Sequence, residues 1–161
     1  MYGESNNIFI SHYHKDDEHV QSLKARLKSQ GFEVRNFSVD STKHKDGRKP
    51  SNEVIRRFLR MRISWSSTFI CLIGPKTHTR RWVDHEIDQA YRQGKRIIGV
   101  YTHGSKETAE LPKNFKKIAS NLIGWNSIDK IGDIISGRNY PMEGPDGKPS
   151  LDPFGRPVIG C

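Results

Sequence analysis

The chain has 161 residues, of which 34% are hydrophobic and 28% are charged. This length fits one domain with a core of its own, and the composition is typical of a globular protein. No apolar run approaches the ~20 residues that a membrane-spanning helix needs. The N-terminus also lacks a basic segment followed by an apolar stretch, so no secretory signal is expected. These features argue against a membrane protein and predict a cytoplasmic one.

The charge balance is strongly basic, with 27 lysines and arginines against 18 acidic residues and a net charge of +9. Such a charge favours anionic partners, including nucleotides, nucleic acids and acidic proteins. A solvated basic surface explains it equally well. Aromatic residues are not interleaved with the basic clusters in the manner of a single-strand-binding surface, so nucleic acid is not the favoured partner.

The first half of the chain alternates strand and helix patterns. The apolar run over 8–10 predicts a buried first strand. Acidic residues at 16–18 suit a helix N-terminus, and Gly31 ends the helix that they begin. Apolar residues recur through that helix at helical spacing: Val20, Leu23 and Leu27. Segment 32–39 contains the second predicted strand, and a polar, basic loop follows over 40–50.

A second helix and the clearest strand follow this loop. Ser51 suits the N-cap position, with Glu53 in the first turn. The apolar stripe of this helix is predicted to contain five residues: Val54, Ile55, Phe58, Leu59 and Ile63. Segment 69–73 is a continuous apolar run, which predicts a central parallel strand covered on both faces. The turn Gly74-Pro75 closes this strand.

The same alternation continues to residue 135. The remaining predicted elements are a helix over 81–92, a strand over 97–100, a short helix over 111–119, a strand over 122–125 and a helix over 128–135. Five strands alternating with helices predict an α/β fold with an open, doubly wound parallel sheet and helices on both faces. The order is expected to be flavodoxin-like, because the chain has neither a Gly-x-Gly-x-x-Gly motif after its first strand nor a Walker loop.

The composition changes at Arg138. Five of the eight prolines lie beyond it, one at every fourth position, with three glycines between them and a fourth after the last proline. Such a segment forms neither a helix nor a central strand. We therefore divide the chain into a domain over 1–137 and a Pro/Gly-rich extension over 138–161. The extension is either a flexible or wrapping tail, or a docking segment for a partner or a neighbouring subunit.

Segment 81–87 carries the strongest chemical signal. Trp82 and Glu86 are four residues apart, so they share one face of the predicted helix. That helix begins where an apolar strand ends, and ligand crevices of parallel sheets lie at this edge. An aromatic ring can stack on a nucleotide base there, and a carboxylate can stabilise developing positive charge. On the residue pattern alone, a glutamate on a helix is more often a solvated surface charge.

Two strings of residues are similar to the signatures of a known family. The run Ile8-Phe9-Ile10-Ser11-His12, followed by a short loop and a helix, resembles the first signature of TIR domains. The run Arg81-Trp82-Val83-Asp84-His85-Glu86-Ile87 resembles the signature around their catalytic glutamate. The segments 67–74 and 94–100 lie where this family has its next two strands. The resemblance covers about residues 5 to 137, and among TIR-like proteins it is strongest to the small TIR subunit of the bacterial Thoeris antiphage system.

The resemblance implies an NAD⁺ glycohydrolase or ADP-ribosyl cyclase. Such an enzyme cleaves the nicotinamide–ribose bond and makes a cyclic or conjugated ADP-ribose signal. NAD⁺ is then a substrate, and no permanently bound cofactor is expected. The implied partners are a separate effector protein that the diffusible signal activates, a phage-derived trigger and, as a further possibility, copies of the same chain. No membrane partner is expected.

The resemblance also assigns roles to single residues. Glu86 is the predicted catalytic carboxylate, and Trp82 either stacks on the substrate or serves as a core or lid residue. The substrate-binding candidates follow the first two strands: Ser11, His12, Tyr13 and Asp40. The first three are turn residues that could equally cap the next helix. Lys43 and Arg48 are further candidates, for the pyrophosphate.

The cysteine and histidine residues predict neither a disulfide nor a metal site. Cys71 lies in a predicted core strand and Cys161 at the C-terminus, a poor pair that fits a reducing compartment. His12, His14 and His19 lie on a loop and a helix start without a recognised ligand spacing. Two other function classes stay open: a non-catalytic TIR interaction module, and an enzyme resembling the nucleoside deoxyribosyltransferases.

Overall fold

The computed structural model describes residues 7–37, 51–102, 109–118, 120–138 and 140–149, and the backbone alone at positions 14, 36 and 37. Its centre is a five-stranded, all-parallel sheet in the order β2-β1-β3-β4-β5. The strands are β1 (Asn7–Ser11), β2 (Glu33–Phe37), β3 (Thr68–Ile73), β4 (Arg96–Tyr101) and β5 (Asn121–Ile123). The predicted flavodoxin-like sheet is therefore confirmed. Within the described ranges, no helix has both the length and the apolar character needed to cross a bilayer.

Helices cover both faces of the sheet. They are α1 (Asp17–Ser29), α2 (Asn52–Trp65), α3 (Arg81–Arg92), α4 (Phe115–Ile118) and α5 (Ile131–Ile135). The apolar residues of α2 and α3 pack on one face, with Phe9, Phe69 and Ile97 from the strands. Those of α1 and α5 pack on the other face, with Ile10 and Ile70. Side chains of a strand alternate between its faces, so each central strand serves both cores and consists mainly of buried residues.

The predicted apolar stripe of α2 was wrong at two of its five positions, Val54 and Phe58. Ile55, Leu59 and Ile63 are buried at a spacing of four, and they supply the whole core face of the helix. Val54 is 48% exposed, because one residue of helix turns a side chain by about 100° away from its neighbour. The N-cap prediction is confirmed, since Ser51 Oγ accepts a hydrogen bond from the Val54 N–H at 3.3 Å.

Three predicted bounds near the C-terminal end of the domain were also wrong. The helix predicted over 111–119 begins only at Phe115, since Pro112 disfavours helical backbone at Leu111 and residues 113 and 114 form a turn; position 119 lies outside the described residues. The fifth strand ends at Ile123 rather than at 125, because the Gly124 N–H donates a hydrogen bond to the Glu143 carboxylate at 2.8 Å instead of to a neighbouring strand. Residues Trp125–Lys130 form a 3₁₀ helix that leads into α5, where a longer α-helix was expected.

The first part of the Pro/Gly-rich extension packs on the domain. Tyr140 and Met142 contact the two cores, one on each side of the sheet. Glu143 is buried, its N–H donates to the Leu122 carbonyl at 2.9 Å, and it forms an isolated β-bridge with Pro149. Over 140–149 the extension therefore wraps the domain, as one of the two interpretations expected. The boundary at 137/138 stays a prediction, and 150–161 lies outside the described residues.

Candidate functional site

The strand order places a ligand crevice between the carboxyl ends of β1 and β3. The chain continues from these two neighbouring strands to helices on opposite faces, and such a switch point is where open α/β sheets bind ligands. The loops that follow the strands pack closely there. A Cβ on Gly74 would lie 2.6 Å from Asp16 Oδ2, so only glycine fits this contact. Thr77 Oγ1 fixes the turn by accepting the Gly74 N–H at 2.8 Å.

Glu86 occupies a core position on α3. The buried stripe of the helix consists of Val83, Glu86, Ile87 and Ala90, at the spacing of a face that packs on the sheet. Glu86 is 2% exposed, where the residue pattern alone favoured a solvated surface charge. A buried carboxyl at such a position destabilises the core unless it is hydrogen-bonded or paired.

Burial controls the ionisation of Glu86. Desolvation raises the pKa of its carboxyl from 4.5 to about 8, and the nearby Ser11 hydroxyl lowers it in part. Among the described residues, neither Glu86 Oε2 nor Ser11 Oγ has a well-aligned hydrogen-bond partner. The carboxyl is therefore mostly protonated near neutral pH, and one of its oxygens has no well-aligned hydrogen-bond partner among the described residues. A cationic group brought next to it would favour the ionised form.

Cys71 lies under this site and is not a nucleophile. It pairs in register with Ser11 on β1 and with Gly99 on β4, and it is fully buried. Burial, followed by the negative charges of Glu86 and Asp84, raises the pKa of the Cys71 thiol far above its ordinary range. The reactive thiolate is therefore not available at physiological pH. The sequence prediction of an inert core thiol is consistent with this environment.

Trp82 lies at the margin of the buried stripe of α3. It is half-buried and packs against the core of the α2/α3 face. Arg56 and Arg81 lie 6.0 Å and 5.8 Å from its ring centroid, and His85 meets it edge-on at 5.4 Å. These two arginines would repel a cationic nicotinamide placed beside the ring, but they would not repel an adenine or a phosphate. The core and substrate-stacking interpretations of Trp82 are thus compatible.

The three candidates after β1 have different surroundings. Ser11 is buried beside Glu86, as described above. His12 Nε2 lies 2.7 Å from Asp17 Oδ1, a contact between two side chains that joins the loop to the first turn of α1. Tyr13 is 7% exposed, and the guanidinium carbon of Arg80 lies 3.9 Å from its ring centroid. Ser11 and Tyr13 therefore lie at the crevice, and all three residues, His12 included, remain predicted substrate ligands.

The other candidates cannot be compared with the structure. Asp40, Lys43 and Arg48 lie outside the described residues. Within the described part of the chain, no group of three or more His, Cys, Asp or Glu residues is arranged to hold a metal ion.

The sequence analysis missed Arg80. Its side chain contacts Tyr13 across the crevice, although the two residues are 67 positions apart in the sequence. Only the pairing of β1 with β3 brings these two loops together. The one local signal in the sequence was that Arg80 directly precedes the TIR-like motif. Asp84 was also overlooked. Its carboxylate accepts the Asn114 N–H at 2.8 Å and joins α3 to the segment before α4.

Two solved structures share this architecture. The CMP N-glycosidase BcmB of Clostridium botulinum has a TM-score of 0.51 at 18% identity, over 81% of this chain and 98% of that one. A Burkholderia pseudomallei protein named "Putative pilus assembly-related protein" has a TM-score of 0.50 at 9% identity, over 87% and 97% of the two chains. At such low identity these similarities show the fold alone, and one fold supports many functions.

Sequence similarity is more specific. A Bacillus cereus (strain MSX-D12) protein named "Putative cyclic ADP-D-ribose synthase ThsB1" is 31% identical over 68 residues, which are 42% of this chain and 35% of that protein. The match thus spans about a third of the relative's length. A family model described as "Thoeris protein ThsB, TIR-like domain" matches residues 9–107, more than half of the chain, including Ser11 and Glu86. The chain therefore belongs to the family of TIR-like domains of the Thoeris protein ThsB.

Proposed function

We propose that this protein is an NAD⁺-processing TIR enzyme that cleaves the nicotinamide–ribose bond and makes a cyclic or conjugated ADP-ribose signal. Membership of the ThsB family and the name of the Bacillus cereus relative support this class of reaction. The observation that carries the proposal is Glu86. It is a buried carboxyl in the family motif, and one of its oxygens has no ligand among the described residues. Unpartnered, strongly perturbed groups of this kind concentrate at active sites.

The chemistry needs one carboxylate rather than a pair. The bond between ribose C1′ and the nicotinamide nitrogen breaks, its electron pair stays on nitrogen, and nicotinamide leaves as a neutral molecule. Positive charge then develops on the ribose, as in glycoside hydrolysis. The Glu86 carboxylate would stabilise that charge, and a nucleophile within the ADP-ribose or from a second molecule would close the new bond at C1′.

The high pKa of Glu86 fits an enzyme whose carboxyl is neutral at rest and ionises when the substrate binds. The resting carboxyl is mostly neutral near pH 7, because burial raises its pKa to about 8. The positive charge of the nicotinamide ring would lower that pKa again, so the reactive ion forms where the cation binds. In this scheme the trigger is phage-derived, the product activates a separate effector, and assembly of several copies is a further level of control.

The test is release of nicotinamide from NAD⁺ by the wild type and by Glu86→Gln, in lysate from phage-infected cells. Glutamine keeps the size of the side chain but has no negative charge, so we expect loss of at least about a hundredfold in rate. Asp88→Asn is the matched control, because Asp88 lies on the same helix but pairs with Arg92 at 2.8 Å. Equal nicotinamide release by the wild type and a folded Glu86→Gln protein would disprove the assignment.

An interaction module is the second candidate, and α2 provides the observation that favours it. Val54 and Met61 are 48% and 66% exposed, and with Phe58 and Trp65 they form an apolar stripe that the core does not use. A stable homotypic complex with no nicotinamide release, even with infected-cell lysate, would favour this function. Base exchange on deoxynucleosides without loss of NAD⁺ would instead indicate an enzyme of the deoxyribosyltransferase type.

A further inference from the structure

We propose that Arg80 binds the diphosphate of the dinucleotide at the crevice between β1 and β3. This inference rests on the proposed function, because it names the residue that would hold the anionic part of the same substrate. Nothing in the TIR-like motif itself marks this residue, since the motif begins at the next position.

The position of Arg80 is the first line of support. It follows the loop after β3 and directly precedes α3, whereas Tyr13 follows β1. The 3.9 Å contact between the Arg80 guanidinium carbon and the Tyr13 ring centroid therefore joins the two sides of the ligand crevice. Stacking on an aromatic ring holds a guanidinium in place while leaving its N–H groups free to donate in its own plane.

The charge of Arg80 has no counterpart in the described part of the chain. No Asp or Glu there forms a salt bridge with it, whereas Arg26, Arg92 and Arg138 all have carboxylate partners. The buried Nε of Arg80 has no hydrogen-bond acceptor among the described residues. Leaving a buried donor unsatisfied is unfavourable, and a phosphate oxygen would satisfy it. Phosphates are the anions that a guanidinium fork binds best.

Two further features fit a phosphate at this point. Arg80 is the N-cap residue of the 12-residue α3, and no side chain caps that end of the helix. The partial positive charge of a helix N-terminus adds to the attraction for an anion. Glu86 lies six residues further along, or about 9 Å along the helix axis. A diphosphate at Arg80 would therefore leave the adjoining ribose within reach of Glu86.

The experiment compares two ligands that differ in the diphosphate. Affinities of ADP-ribose and adenosine are measured by titration calorimetry for the wild type, Arg80→Gln, Arg80→Lys and Arg92→Gln. We expect Arg80→Gln to weaken ADP-ribose by about tenfold to a hundredfold and to leave adenosine within about twofold. Arg80→Lys keeps the charge without the fork, so its loss should be smaller. Arg92→Gln removes the same charge from an exposed, paired site and should change neither affinity.

The ratio of the two affinities separates binding from structural damage. If Arg80 only supports the Tyr13 loop, its loss weakens both ligands equally, and this result would overturn the proposal. An unchanged ADP-ribose affinity in Arg80→Gln, or no ADP-ribose binding by the wild type, would overturn it too. Arg80-dependent binding without nicotinamide release would leave this inference standing and reject the proposed function. Nicotinamide release with an unaltered affinity in Arg80→Gln would do the reverse.

Discussion

At the scale of single residues, Glu86 combines a cost in stability with a use in chemistry. It takes a place in the buried stripe of α3 that an apolar residue would normally fill. A buried acid is tolerated mainly in its neutral form, because ionisation inside the protein is unfavourable. The group that the proposed reaction needs as an anion is thus the group that the fold stabilises as an acid.

This conflict predicts how stability depends on pH. The pKa of Glu86 rises on folding from 4.5 to about 8, so the folded state holds a proton that the unfolded state has lost. Its contribution to stability is complete below about pH 4.5, decreases as the pH rises and is lost above about pH 8. The slope over this window is at most about 1.4 kcal/mol per pH unit. Urea unfolding of the wild type and Glu86→Gln between pH 5 and 8.5 measures the effect.

Glu86→Gln should lack this pH-dependent contribution to stability. Its stability relative to that of the wild type should therefore be greater at pH 8.5 than at pH 5. Glu53→Gln is the control, because the Glu53 side chain is 83% exposed and faces an arginine rather than a histidine, so its loss should leave the wild-type slope unchanged. Parallel pH profiles for the wild type and Glu86→Gln would mean that Glu86 titrates normally in the folded protein.

At the scale of elements, the Pro/Gly-rich extension completes the last strand and helix. The Glu143 carboxylate accepts hydrogen bonds from the Gly124 N–H at 2.8 Å, from Ser127 Oγ at 2.9 Å and from Lys130 Nζ at 3.2 Å. These donors lie at the end of β5 and along the 3₁₀ helix, so one carboxylate supplies the cap that no local side chain provides. A close contact reinforces it, since a Cβ on Gly124 would lie 2.8 Å from Gly147 Cα.

Glu143→Ala should therefore destabilise the domain, although it lies in a segment that the sequence marks as irregular. Removing the carboxylate leaves the buried Gly124 N–H without an acceptor, and we expect a loss of about 2–3 kcal/mol in the free energy of unfolding. Glu143→Gln keeps one acceptor oxygen and should cost less. Urea unfolding gives both values, with Glu110→Ala as the exposed control. A loss below about 0.5 kcal/mol in Glu143→Ala would show that this contact does not hold the extension.

The sequence was sufficient for the elements whose signal is local. The central strands are continuous apolar runs, which only a parallel sheet covered on both sides buries, and α2 begins at a capping serine. The sequence was insufficient where a distant residue decides. The end of β5 depends on Glu143, which lies twenty positions later. The exposure of Val54 depends on which of two adjacent apolar stripes of α2 packs on the sheet.

At the scale of the whole molecule, two cores share one sheet. Leu23 on α1 and Leu59 on α2 are both fully buried, on opposite faces. Because the same strands supply both faces, loss of packing on one side should weaken the other. We expect Leu23→Ala and Leu59→Ala each to cost about 3 kcal/mol and to unfold in one transition.

Urea unfolding followed by tryptophan fluorescence and by circular dichroism tests this prediction. The wild type and both variants should give coincident curves from the two probes. A two-step transition in either variant would show that the faces unfold independently and would contradict a single cooperative unit.

The candidate site shows the same division between local and long-range information. Glu86 and Trp82 were predicted because a helical motif places them within about one turn of each other. Their surroundings were not found, since the burial of Glu86 and the contact of Arg80 with Tyr13 both depend on how separate loops meet at the sheet edge. The periodicity of apolar residues does not predict such contacts between separate loops.

The position of Glu143 has a consequence for biosynthesis. The ribosome delivers the chain from its N-terminus, so β1, β3 and β4 can pair before residue 143 exists. The amide of Gly124 and the ammonium of Lys130 have no such acceptor until residue 143 has been synthesised. A nascent chain that stalls within this interval would carry an unfinished edge, and quality-control proteases and chaperones act on such intermediates.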